Sequence, residues 1–114
     1  MTETFLYDPD ECPLTAALGV IGGKWRGLLW WRLSKGLGRF GDLHRSVPQI
    51  SRKVLSGELR EMVAHGVVER RSFSQTPPRV EYSLTEYGKT LGPVIEALCA
   101  WGQAHRERGA ARTR

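Results

Sequence analysis

At 114 residues the chain has room for one domain with a modest core, and 40% hydrophobic with 25% charged residues is ordinary for a soluble globular protein. No apolar run reaches membrane-spanning length, the N-terminus leads into acids rather than an apolar leader, and the two cysteines, Cys12 and Cys99, lie too far apart in sequence for the disulfide scaffold of a small secreted domain. These features exclude the membrane and secreted classes and make the cytoplasm the expected location, while a net charge of +5 points to a partner with dense negative charge.

Residues 1–11 read as an N-terminal arm in which Phe5, Leu6 and Tyr7 stand among acids. Leu14, Leu18 and Ile21 then share one face of a first helix that Gly22-Gly23 ends, and Trp25, Leu28, Leu29 and Leu33 mark a second helix before the glycines at 36 and 38. Both helices are expected to build the core. A helical segment over 40–46 stops at the turn Val47-Pro48-Gln49-Ile50, and Ser51 can N-cap the helix that follows to Gly66. Short helix, tight turn and second helix make a groove-reading unit.

On that second helix Val54, Leu55, Leu59, Met62 and Val63 recur at helical spacing and form an apolar stripe, which leaves Lys53, Ser56, Gly57 and Arg60 on the opposite face. A short cationic face rich in donors suits an element lying in a major groove, although a solvated surface helix would look similar. Gly66 fits the helix C-terminus. A hairpin is expected next: residues 67–73 are strand-like, 74–78 hold Pro77-Pro78 and cannot continue a strand, and 79–84 alternate Val80, Tyr82 and Leu84 with polar neighbours. Arg70 and Arg71 on the first strand, with Arg79 beside the tip, give this wing a basic exposed side for a phosphate backbone or minor groove. The alternative is a charged edge strand that only discourages aggregation.

Thr85 can cap a C-terminal helix in which Tyr87, Leu91, Val94, Leu98, Trp101 and His105 form one stripe, with Ile95 and Cys99 at its edge, and Pro93 should bend or restart it. The stripe is longer than a small winged core needs. A second copy of the chain is the expected occupant, gripping Phe5, Leu6, Leu14, Leu91, Val94, Leu98 and Trp101, and the alternative is a helix folded back on its own domain. The last nine residues, 106–114, read as a basic, disordered tail beyond a domain at 12–105.

Charge is not evenly spread. From Lys24 to Arg79 there are twelve Lys and Arg against four Asp and Glu, whereas residues 1–23 hold four acids and no base. The cationic charge sits on the proposed reading unit, and nucleic acid is the commonest partner for such a domain. A membrane surface would ask for one basic amphipathic helix, and here the charge runs over loop, helix and hairpin. The candidate DNA contacts are Lys24, Arg39, Ser51, Arg52, Lys53, Ser56, Arg60, Arg70, Arg71 and Arg79.

The segments Cys12-Pro13, Val20-Ile-Gly-Gly-Lys-Trp25, Arg39-Phe40-Gly-Asp-Leu43, Ile50-Ser51, Leu59-Arg60-Glu61, His65-Gly66-Val-Val68 and Pro77-Pro78-Arg-Val-Glu-Tyr-Ser-Leu-Thr85, with Leu55 between them, closely resemble the HxlR-type regulators, a branch of the MarR-like winged-helix transcription factors. The resemblance spans about residues 12–103. It implies a mainly α fold with a small β-hairpin, a winged helix-turn-helix flanked by N- and C-terminal dimerisation helices, and a homodimer acting on double-stranded operator DNA as a transcription regulator. It also implies that Cys12 could sense oxidants or electrophiles, as some members do with a cysteine at this Cys-Pro position. A helix N-terminus favours its thiolate and the adjacent Asp10 and Glu11 oppose it, so a packing role stays open. Cys99 reads as packing.

Trp25, Trp30, Trp31 and Trp101 fit core packing, with a pocket for an aromatic effector as the alternative. Nothing suggests an enzyme, a metal or a cofactor: His44, His65 and His105 lack ligand spacing, and Gly22-Gly23-Lys24 lacks the spacing of a phosphate loop. A winged-helix module used only for protein contacts is the competing class.

Overall fold

The computed structural model describes residues 12–112, so Phe5 and Leu6 of the expected interface, and Asp10 and Glu11 beside Cys12, lie outside the described residues. The order is α1 (Pro13–Ile21), α2 (Arg26–Ser34), α3 (Phe40–Ser46), α4 (Arg52–Ala64), β1 (Val68–Phe73), β2 (Arg79–Leu84), α5 (Glu86–Lys89) and α6 (Gly92–Arg112). Mainly helical with one antiparallel hairpin, this is the winged helix-turn-helix expected from the sequence.

The core is built where α2, α3, α4 and the hairpin meet. Leu29, Leu43, Leu55, Leu59 and Met62 have no measurable exposure, and Trp30, Leu33, Val47, Ile50, Val67, Val68 and Tyr82 close around them. On α4 the buried residues are Leu55, Leu59 and Met62, at the i, i+4, i+7 spacing of one helical face. Val54 and Val63, expected in the same stripe, are exposed at 43% and 37%. Each lies roughly a quarter turn from the centre of the buried face, which is narrower than the run of apolar residues suggests.

Both ends of α4 are tied down. The Ser51 hydroxyl accepts from the Val54 amide at 3.1 Å, an N-cap. At the other end the Gly66 amide donates to Val63 O and the Val67 amide to Met62 O, with Gly66 at φ 79°. This paired closure needs a left-handed residue, and glycine supplies it without strain. The chain thereby turns into β1, which pairs with β2 from Val68↔Leu84 to Phe73↔Arg79. A single antiparallel bridge, Arg39↔Glu81, adds the start of α3 to the outer edge of β2.

Thr85 caps a helix as expected, but the helix is the four-residue α5, not the long one: its hydroxyl accepts from the Gly88 amide at 2.9 Å and donates to Gly66 O at 2.6 Å. Pro93 then restarts the chain as α6. It stands in the first turn, where its missing N–H has no intrahelical partner to lose. Three further expectations change. Ile95, expected at the stripe's edge, is the buried residue of α6 and belongs to the core cluster, about a third of a turn round the helix from Val94; Leu91 is half-buried and Val94, Leu98 and Trp101 are exposed. In α1 only Ile21 is buried, and Leu14 and Leu18 are 64% and 52% exposed, so that helix adds little to the core. Residues 106–112 are helical rather than disordered, since they continue α6 and Gln103 bonds Glu107 one turn on at 3.0 Å.

Trp30 locks the C-terminal part to the core through its indole N–H, which donates to Gly88 O at 2.8 Å. Gly88 is buried, and a Cβ there would stand 2.0 Å from Val67 O. Gly88→Ala should therefore destabilise the fold by about 1–3 kcal/mol through forced displacement of backbone. Urea unfolding would report it, and an unchanged midpoint would show that the two segments are not in register.

Candidate nucleic-acid interface

Burial of Leu55, Leu59 and Met62 turns Lys53, Gly57 and Arg60 to the outside of α4, and Lys53 and Arg60 are exposed. Ser56 lies on the flank toward the wing. There it lines a groove of about 500 Å³ with Arg39, Arg45, Arg70, Gln75, Pro77 and Arg79, drawn from α3, the hairpin and the segment before α3. Four arginines surround it, against Asp42 alone among the acids, and Asp42 is already paired with Arg45.

The wing has two chemically different sides. Successive strand residues point to opposite faces, so Arg70 shares a face with Tyr82 and Val80, while Arg71 shares the other with Glu69 and Glu81. The expected joint basic side of Arg70 and Arg71 is therefore corrected. Arg71 is held by Glu69 at 3.1 Å and lines a second groove in which Asp42, Glu69 and Glu81 outnumber Arg39 and Arg71. Arg79, opposite Phe73, has the strand parity of Glu81 and Arg71 but also lines the groove beside α4 from the tip: its guanidinium lies 4.4 Å over the Phe73 ring and its Nε is 3.5 Å from Glu81. Glu81 also pairs with Arg39 at 3.6 Å, which aligns these two arginines along one edge.

The other sequence candidates distribute as follows. Arg52 leans over the Phe40 ring at 5.8 Å, and Ser51 spends its hydroxyl oxygen on the N-cap. Lys24 lies over Trp25 at 4.9 Å, and neither groove includes it. Arg45 and Gln75 were not singled out from the sequence; both lie in ordinary polar surroundings, and only the folding of the wing toward α3 brings them to the basic groove. Arg26 was equally silent: its Nε donates to Glu58 Oε2 at 2.7 Å across 32 residues. No local pattern marks such a pair.

Comparison with known proteins agrees with this geometry. The family model described as HxlR-like helix-turn-helix matches residues 20–110. The chain belongs to that family. HxlR-like relatives include the HTH-type transcriptional regulator YybR of Bacillus subtilis, 44% identical over 98 residues that cover 86% of this chain and 78% of YybR. Among solved structures, the redox regulator HypR in its reduced form superposes with a TM-score of 0.81 at 41% identity, covering 87% of this chain and 98% of HypR. Diamide-treated YodB from B. subtilis gives a TM-score of 0.70 at 35% identity, covering 82% and 93%. This HxlR-like chain is thus a transcriptional regulator of the helix-turn-helix type, and its relatives are named as regulators rather than enzymes.

Away from the basic side, the regulator carries a second unusual surface. A groove of about 670 Å³ between α1, α2 and α6 is lined by Ile21, Leu28, Trp31, Ile95, Leu98 and Cys99 and is almost wholly apolar. Leu14, Leu18, Val94, Leu98 and Trp101 are exposed, and Trp101 stacks on His105 at 5.1 Å. Of the four tryptophans, Trp30 is core, Trp25 half-buried, and Trp31 and Trp101 exposed. Among the described residues no three His, Cys, Asp or Glu come together to hold a metal, and no helix is long and apolar enough to cross a membrane.

Cys12 is a free, buried thiol at the N-cap of α1, and Cys99 is free and exposed. The Thr15 backbone N–H holds the Cys12 pKa below that of an ordinary thiol, with help from the Leu14 N–H and the Thr15 hydroxyl, and desolvation opposes the shift only in part. The exposed amides of the first helical turn stabilise a thiolate there. Alkylation of Cys12 in the folded Cys99→Ser chain should accordingly reach half its maximal rate at a lower pH than in the same chain unfolded in urea. A midpoint at or above the unfolded one would contradict the assignment.

Proposed function

We propose that the protein is a homodimer that recognises an inverted-repeat operator, with α4 in the major groove and the Arg70 side of the wing against phosphate or the minor groove. The observation that carries this reading is the unequal charge of the wing. Arg39, Arg45, Arg70 and Arg79 line the groove beside α4 with Asp42 as its one acid, while in the groove on the far side Asp42, Glu69 and Glu81 outnumber Arg39 and Arg71 by one. DNA is drawn more strongly to the first, and that approach also suits Lys53 and Arg60. Lys53, Ser56 and Arg60 are the candidate base readers; Arg39, Arg70 and Arg79, joined by Arg45, are candidate backbone contacts. Arg71 leaves the set.

The exposed apolar residues Leu14, Leu18, Val94, Leu98 and Trp101, beside an apolar groove, support a second copy as the occupant of α1 and α6. Two copies would space two α4 helices for successive major grooves, about 34–36 Å apart. The lowered pKa of Cys12, with HypR named a redox regulator and YodB studied after diamide treatment, supports thiol modification at Cys12 as the input. An adduct at the start of α1 would act on the proposed interface directly.

Operator affinity should fall by about 1–3 kcal/mol for Arg60→Ala if it reaches a base edge. Arg79→Ala should weaken specific and non-specific DNA alike and make the salt slope shallower by about one unit, whereas Arg71→Ala should leave both nearly unchanged. Fluorescence anisotropy over a salt series measures all three. Equal losses for Arg71→Ala and Arg79→Ala would mean that the wing docks by its other face.

A further inference from the structure

The connection between α1 and α4 is more specific than a winged core requires. Among the described residues, α1 meets the core cluster through its last turn. Ile21 is buried and Val20 packs against the core, while the residues from Pro13 to Gly19 are exposed. Gly22 and Gly23 follow, the latter at φ 92°, so the helix ends on backbone that a side chain would resist. Cys12, itself buried, stands at the opposite end, outside the core cluster and about 13 Å away at the rise of an α-helix.

Besides the packing of Ile21 and Val20, one polar side chain ties that last turn to α4. Arg26, the first residue of α2, donates from Nη1 to Gly19 O at 2.9 Å and to Val20 O at 3.3 Å, and from Nε to Glu58 Oε2 at 2.7 Å. Its side chain is 16% exposed and that of Glu58 27%, so solvent screens the pair only partly. A guanidinium can serve two carbonyls and a carboxylate together because its donors form a rigid planar fork. Its three partners are the C-terminal carbonyls of α1 and the middle of α4, on the flank opposite Ser56. A mere stabilising tie would need only one of them.

We propose that Arg26 is a positioning residue that couples α1 to the recognition helix, so that a shift of α1 and the seating of α4 on DNA are one event. The coupling does not pass through the buried face of α4. When α1 swings, its Gly19 and Val20 carbonyls carry the guanidinium with them, and Glu58 must follow or lose its partner. The reverse also holds, since coupling is reciprocal: DNA that fixes α4 must quieten the last turn of α1. The inference rests on α4 binding DNA but not on what Cys12 senses.

Hydrogen exchange of the full-length protein, free and bound to a duplex selected by it from a random pool, tests this. Exchange at residues 18–21 should slow about five- to 100-fold on binding in the wild type. In Glu58→Ala, which leaves Arg26 on the α1 carbonyls, and in Arg26→Lys, which keeps the charge but not the fork, that slowing should vanish while α4 remains protected by DNA. Retained slowing at 18–21 in both variants would overturn the proposal, and so would its absence in the wild type bound to DNA. Failure to select any duplex would overturn the DNA reading and this inference with it. Glu58→Gln, which keeps an acceptor, should retain part of the coupling and guards against a simple loss of fold.

Discussion

The burial of one face of α4 orients everything else in this protein. Leu55, Leu59 and Met62 are fully enclosed, each a side chain whose removal from water is worth about 1.5–3 kcal/mol. With that face committed, Lys53 and Arg60 have no direction left but outward, and Ser56 is turned toward the wing. The N-cap at Ser51 and the glycine closure at Gly66 fix where the helix starts and stops. The second of these also aims β1, and through Thr85 it is bonded to the start of α5. The helix α4, the wing and the C-terminal helix are therefore positioned from one seam.

Much of this was legible because it is local. Helical spacing, an N-cap serine, a C-terminal glycine and period-two alternation gave α3, α4 and the hairpin nearly to the residue. Most of the differences concern which side of an element meets another element. Val54 and Val63 are apolar at helical spacing yet lie beside the buried face rather than on it. Ile95 stands at the edge of the apolar stripe in sequence, and only the packing of α6 on the domain turns that edge into the core. Arg70 and Arg71 are adjacent in sequence, and strand geometry sends them to opposite faces. The basic tail is composed like a disordered segment, and helix propagation from residues 94–105 carries it to Arg112.

The candidate interface was legible in its charge and not in its grouping. Counting residues located an excess of cations between Lys24 and Arg79, but only the fold separates a basic side from an acidic one. The ion pair of Arg26 and Glu58 spans 32 residues and leaves no trace in either local pattern. The same division separates the two surfaces functionally: a polar, arginine-lined side beside α4, and an apolar side formed by α1 and α6. On the proposed reading, the first would hold DNA and the second the partner that sets the spacing of two copies of α4.

Dimethyl sulphate footprinting on a selected duplex tests the central claim most directly, because guanine N7 lies in the major groove and adenine N3 in the minor groove. The account requires protection of guanine N7 in two patches about one helical turn apart, related by the symmetry of the site. Protection of adenine N3 alone, or of a single patch at saturating protein, would contradict it.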